Sequence, residues 1–159
     1  MNIIDLITRD CVASDVKVTS KKQLIQEMAQ LMVNCGCLAG SGVEARDIVS
    51  AAMDRERLGS TGVGSGVALP HARIEGLDAV RIALVRLETP LDFESVDERP
   101  IDLAVLILAP ADAGSSHLRA LAQISRRLRK EDVRTRLRTA PNAESLYTCF
   151  VSDAQATAA

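Results

Sequence analysis

Residues 101 to 108 read IDLAVLIL and continue as Ala109-Pro110-Ala111, a nearly unbroken apolar run in a chain of 159 residues. A strand with one wet face alternates apolar and polar residues. A run without alternation is what a central strand buried on both faces requires. Such a strand must be covered twice, so the sequence predicts a three-layer α/β/α sandwich, a mixed sheet flanked by helices on both faces. The run is far below the ~20 apolar residues of a membrane-crossing helix. The chain length suits one ordinary domain, assigned to residues 1–151. The remaining SDAQATAA, 152–159, has little to bury and is expected to be mobile.

The helices that would cover the sheet are legible by period. Ser20 and Gln23 have capping-box spacing, and Leu24, Ile25, Met28, Leu31, Met32 and Cys35 follow at helical intervals up to Gly36. A second helical pattern spans Val43 to Arg57. Ser115 and Ser116 read as caps for a helix with Leu118, Leu121, Ile124 and Leu128 on one face. Asp132 to Thr139 forms a shorter helix, and Pro141-Asn142 opens a last one carrying Leu146, Phe150 and Val151. Between the two helical groups, Val67-Ala68-Leu69 and Val80 to Leu87 read as strands, the first stopped by Pro70.

Composition then removes several classes of function. Lys plus Arg number 19 against 21 Asp plus Glu, a net charge of −2, so the surface is no general basic field for nucleic acid. Arg126-Arg127-Leu128-Arg129-Lys130 reads as a solvated helix face near an acidic partner. Phe93, Tyr147 and Phe150 are the whole aromatic set, too few for a base-stacking platform. The only histidines, His71 and His117, cannot supply a three-His metal site. Cys11, Cys35, Cys37 and Cys149 are irregularly spaced without a CxxC pair. They read as reduced, buried or half-buried thiols rather than a metal or redox set. Met1 to Asp10 has no secretory pattern, which points to the cytoplasm and to no membrane insertion.

The chemistry concentrates between Gly59 and His71. GSTGVGSG places four glycines and three hydroxyl residues in eight positions and reads as a loop. It is not Walker A, since Ser65 stands where Lys belongs. Nor is it GxGxxG, because Val67 takes the third glycine position, and no GxSxG elbow is present. What is left is a run rich in backbone N–H groups able to curve around an anion. Gly59, Ser60, Thr61, Gly62 and Gly64 are its phosphate-binding candidates. Pro70 then stiffens the chain before His71, and a neutral imidazole beside an anion site can accept and release a phosphoryl group.

The seventeen residues from Arg55 to His71, RERLGSTGVGSGVALPH, resemble the signature of the fructose/mannitol-type IIA components of the phosphoenolpyruvate-dependent phosphotransferase system. The GSTG form leans to the nitrogen-regulatory branch, and the likeness extends through residues 1 to 150. The resemblance implies that His71 is phosphorylated on its ε-nitrogen. Arg55 would reach the phosphoryl group, and His117 would lie across the site and hydrogen-bond to it or to His71. It implies an HPr-like phosphocarrier as donor and regulated targets such as a potassium transporter or a sensor kinase, with no cofactor or metal. The alternatives are a sugar-specific IIA that passes the group to a IIB domain, and a binding module whose histidine does not turn over. Ser65 and Ala72-Arg73 depart from the commoner Asn and Gly-Lys, at the surface that partners meet.

Overall fold

In the computed structural model, which describes residues 2–158, the apolar run forms the central strand of the sheet. The strands are β1 (Val12–Val16), β2 (Gly62–Gly64), β3 (Val67–Ala68), β4 (His71–Ile74), β5 (Arg81–Leu91) and β6 (Ile101–Pro110). They form one six-stranded sheet in the order β1-β5-β6-β3-β2, with β4 also paired to β6. The sheet is mixed: β1 runs parallel to β5, β5 antiparallel to β6, and β3 and β4 parallel to β6. Every residue of β6 except Asp102 is buried, as two covered faces demand.

Five helices do the covering: α1 (Lys21–Asn34), α2 (Ala45–Arg57), α3 (Ser115–Leu128), α4 (Glu131–Thr139) and α5 (Ala143–Ala158). α1 and α2 pack on each other and against β5 and β4. α3 and α5 pack against β6 and β1, with α4 between them. The α/β architecture is the one expected. Ser20 Oγ accepts the Gln23 N–H at 3.1 Å to start α1, and Gly36 (φ +83°) ends it. α5 runs on through residue 158. Side chains from 153 onward, and with them the mobility expected of 152–159, lie outside the described residues.

Several elements differ from the sequence reading. Pro70 interrupts a strand rather than ending it. β3 pairs Val67 and Ala68 with Leu103 and Ala104, and β4 resumes along the same edge with His71 opposite Ile107. The proline lacks an N–H, yet its carbonyl still accepts from Ile107 N at 3.0 Å, so the edge holds through the break. Part of the glycine run is a strand too, because β2 pairs antiparallel with β3. β1, which the sequence pattern does not single out, is a short strand at the opposite edge of the sheet.

α3 is rotated from the expected face. Leu118 is 62% exposed, while His117, Ala120, Ile124, Arg127 and Leu128 are buried. Arg127 is therefore no solvated cation: its guanidinium donates to the carbonyls of Phe150 and Cys149, pinning α3 to α5. Ser115 and Ser116 are the first residues of α3, and its cap is Gly114. The cysteines are also not all free thiols. Cys11, at the end of a short 3-10 turn before β1, is disulfide-bonded to Cys35, the C-cap of α1, across 5.7 Å between Cα atoms. Only folding brings these two positions within bonding reach, which their spacing in the chain does not reveal.

Candidate functional site

The break at Pro70 places His71 at the start of β4, where backbone and side chain meet in one hydrogen bond. His71 Nδ1 lies 2.9 Å from the carbonyl oxygen of Leu69, two residues back. A carbonyl can only accept, so Nδ1 carries the proton and Nε2 keeps its lone pair. Burial is the main cause of a pKa below the ordinary imidazole value. The Leu69 carbonyl opposes this shift, Arg55 adds to it, and Glu56 opposes it. A neutral imidazole with fixed tautomer is a nitrogen nucleophile.

His117 faces it, with ring centroids 5.3 Å apart and ring planes inclined by 57°. It sits in the first turn of α3, only 6% exposed, and its Nδ1 is a buried nitrogen without a hydrogen-bond partner. Burial again lowers its pKa first, followed by His71 and Arg73. Gly114 before this helix has φ +59° and ψ −124°, a combination that a side chain disfavours, so the approach to His117 depends on glycine.

Arg55, His71 and His117 line one open depression of ≈ 330 Å³, together with Ala51, Ala72 and Arg73. The three residues singled out from the sequence are thus brought together from α2, β4 and α3. Arg55 holds the carbonyl of Gly59 at 2.9 Å. Arg73 is the addition. From β4 its guanidinium reaches the carbonyls of Ala111 and Gly114, at 3.5 and 3.3 Å, and so ties the strand bearing His71 to the turn that leads to His117. Its sequence signal was its place two residues after the histidine. A larger groove of ≈ 570 Å³, between α1 and α2, contains no histidine or cysteine.

Gly59, Ser60, Thr61, Gly62 and Gly64 do not line the depression, and several of their polar groups already have partners. The Thr61 N–H donates to both Glu56 carboxylate oxygens at 3.2 Å, and its hydroxyl donates to the same carboxylate. Glu56 is buried and pairs with Lys21 Nζ at 3.1 Å. Ser60 Oγ donates to Phe93 O at 2.7 Å and accepts the Gly62 N–H at 3.1 Å. The backbone of Gly62 runs so close to Ser95 that a Cβ would overlap it. Beyond the glycines, the Ser65 N–H donates to Asp97 at 2.9 Å, and Arg138 binds the Ser65 carbonyl while forking onto Asp102. Glu56 is the residue sequence reasoning passed over. Its signal was an acidic side chain four residues after Ala52, on the apolar side of a helical pattern.

A mixed α/β sandwich thus carries a histidine of fixed tautomer between a second histidine and two arginines. Residues 5–152 match the family model for the phosphoenolpyruvate-dependent sugar phosphotransferase system, EIIA 2, and the chain belongs to that family. It is 40% identical over 147 residues to the nitrogen regulatory protein of Bradyrhizobium diazoefficiens, covering 92% of this chain and 93% of that one. It is 31% identical over 150 residues to the fructose-specific EIIA component of Haloferax volcanii, covering 92% and 94%. The crystal structure of nitrogen regulatory protein IIA-Ntr from Neisseria meningitidis superposes with a TM-score of 0.83 at 29% identity, covering 92% of this chain and 97% of that one.

Proposed function

We propose that this phosphotransferase-system IIA protein accepts a phosphoryl group on His71 Nε2 from the phosphohistidine of an HPr-like carrier. Its phosphorylation state then governs partner proteins, in keeping with its likeness to nitrogen regulatory proteins. The observation that carries the reading is the hydrogen bond from His71 Nδ1 to Leu69 O, which reserves Nε2 for the incoming phosphorus.

In the transfer, the Nε2 lone pair forms the new P–N bond as the donor's P–N bond breaks and the donor imidazole leaves with the electron pair. Positive charge that develops on the His71 ring is stabilised through Nδ1–H by the Leu69 carbonyl. The phosphoryl oxygens meet the Arg55 guanidinium, whose planar N–H donors suit them, and the imidazole of His117. The first turn of α3 adds a favourable dipole for an anion. The Gly/Ser run braces Arg55 through the Gly59 carbonyl and Leu69 through the Thr61 carbonyl, with Glu56 held to Thr61. Donor and acceptor are both imidazoles, so the step calls for no organic cofactor or metal. A potassium transporter and a sensor kinase are suitable classes of regulated target, and the cytoplasm is the compartment where such a carrier works.

Incubation with carrier, its kinase and labelled phosphoenolpyruvate tests the assignment. The wild type takes up acid-labile label and His71→Ala takes up none; equal labelling of His71→Ala overturns it. Replacing His117 by Gln leaves the acceptor intact and slows labelling by roughly 10- to 1000-fold. The likeness to a fructose-specific EIIA supports a second reading, onward transfer to a sugar-specific IIB domain. Rapid discharge of the phosphoprotein by a fructose IIB would favour it.

A further inference from the structure

Three sulfurs share one small volume where the 3-10 turn before β1 meets the end of α1. The Sγ atoms of Cys11, Cys35 and Cys37 all lie within 4.8 Å of one another. Cys11 and Cys35 are bonded, and the free Cys37 has its sulfur 3.6 Å from Cys11 Sγ. That separation is near the distance at which a nucleophile stands before attack. Cys11 is wholly buried, whereas Cys35 and Cys37 are half-buried, so the two cysteines of the CxC pair are the ones solvent can reach.

We propose that Cys11, Cys35 and Cys37 form a thiol–disulfide exchange site in which buried Cys11 is shared between two alternative disulfides, and whose external reactant is a dithiol reductant. In the exchange, the Cys37 thiol loses its proton to solvent and the thiolate attacks Cys11 Sγ. The new Cys11–Cys37 bond forms as the Cys11–Cys35 bond breaks, and the Cys35 thiolate leaves and takes up a proton. No electron is gained or lost. An external dithiol attacking the exposed sulfur of either pair then delivers two electrons, leaves three protein thiols and becomes a disulfide itself.

The surroundings treat the two outer sulfurs alike. Cys35 Sγ lies 3.3 Å and Cys37 Sγ 3.5 Å from the same carbonyl oxygen, that of Met32. Whichever of the two is released as a thiol therefore has a hydrogen-bond acceptor waiting. Gly36 between them leaves the short CxC link unencumbered, since beyond its own chain neighbours nothing stands within 4 Å of where its Cβ would be. Burial raises the Cys37 thiol pKa above its ordinary value, with Arg81 and the backbone opposing, so the thiol form predominates between exchanges.

The test is disulfide mapping of the full chain. The protein is equilibrated in a glutathione buffer, trapped with a thiol-alkylating reagent, digested and read by tandem mass spectrometry, with fragmentation at Gly36 to separate Cys35 from Cys37. The expected result is both linkages in the wild type, a Cys11–Cys37 bond in oxidised Cys35→Ser, and a Cys11–Cys35 bond in oxidised Cys37→Ser. Cys149→Ser keeps both linkages. Dithiothreitol should convert the wild type reversibly to four alkylated cysteines. Cys11–Cys35 as the sole linkage in the wild type, or three free thiols in oxidised Cys35→Ser, overturns the proposal. Loss of either linkage in Cys149→Ser does so as well. The wild-type map needs no variant to fold.

Discussion

The hydrogen bond between His71 Nδ1 and the Leu69 carbonyl fixes the tautomer of the ring. With the proton held on Nδ1 by Leu69 O, the neutral ring offers Nε2, and the lowered pKa keeps that form in place at neutral pH. Phosphoryl acceptance should therefore stay constant as pH falls from about 8 to about 6.5, and decline only below the ordinary imidazole value. A decline centred above that value would contradict the buried, neutral acceptor. The same shifts set a stability trend. His71 and His117 bind protons less readily folded than unfolded, so their contribution is complete above the unfolded imidazole value. It is lost as pH falls through the window down to their folded values. Urea midpoints should accordingly drop as pH falls below about 6.5, and the drop should be smaller in His117→Gln. An unchanged drop in that variant would assign the trend to other groups. His71 itself was legible, because loop, proline and histidine are contiguous. Its tautomer was not, because no sequence pattern states where an imidazole nitrogen points.

At the scale of elements, the Gly/Ser run is a framework as much as a loop. Glu56 at the end of α2 accepts from the backbone and hydroxyl of Thr61, and its buried carboxylate is balanced by Lys21 at the start of α1. Glu56→Gln retains the shape but loses the charge partner of Lys21 and part of the cradle for Thr61. We expect a loss of roughly 2–4 kcal/mol, read as a lowered urea midpoint, with slower phosphorylation of the folded fraction. A variant as stable and as fast as wild type would show that the cradle has no such role. Arg127→Met tests the other helical group: two carbonyls on α5 lose their donor, and the cost should again be roughly 1–3 kcal/mol. The positions of α1 to α4 and of β6 were legible because period and apolar content are local properties, whereas the run of α5 to residue 158 was not. The rotated face of α3 was not, because His117 and Arg127 read as polar in a row and are buried here by partners far away in the chain. The strands β1 and β4 were missed for a related reason. Each is short and is held by its neighbour, β5 or β6, rather than by a pattern of its own.

The whole molecule is organised by β6, and its side chains form part of a single core cluster that reaches all five helices. Leu106 sits mid-strand, wholly buried, opposite Ala83 of β5. His71 is aligned with Ile107 on the other edge of the same strand, so the packing of β6 also sets the position of the proposed acceptor. Truncating Leu106 to Ala removes apolar contact and leaves a cavity between layers that cannot close without moving a helix group. The expected cost is about 3 kcal/mol. Because one core serves both layers, unfolding should remain a single transition, and amides of α1 and α3 should lose exchange protection by the same amount. Hydrogen exchange on Leu106→Ala distinguishes this from a looser assembly. If α1 and α2 kept wild-type protection while α3 to α5 exchanged faster, the two helical groups would be separate folding units. The strand between them would then be a hinge rather than the common foundation of the proposed phosphoryl site.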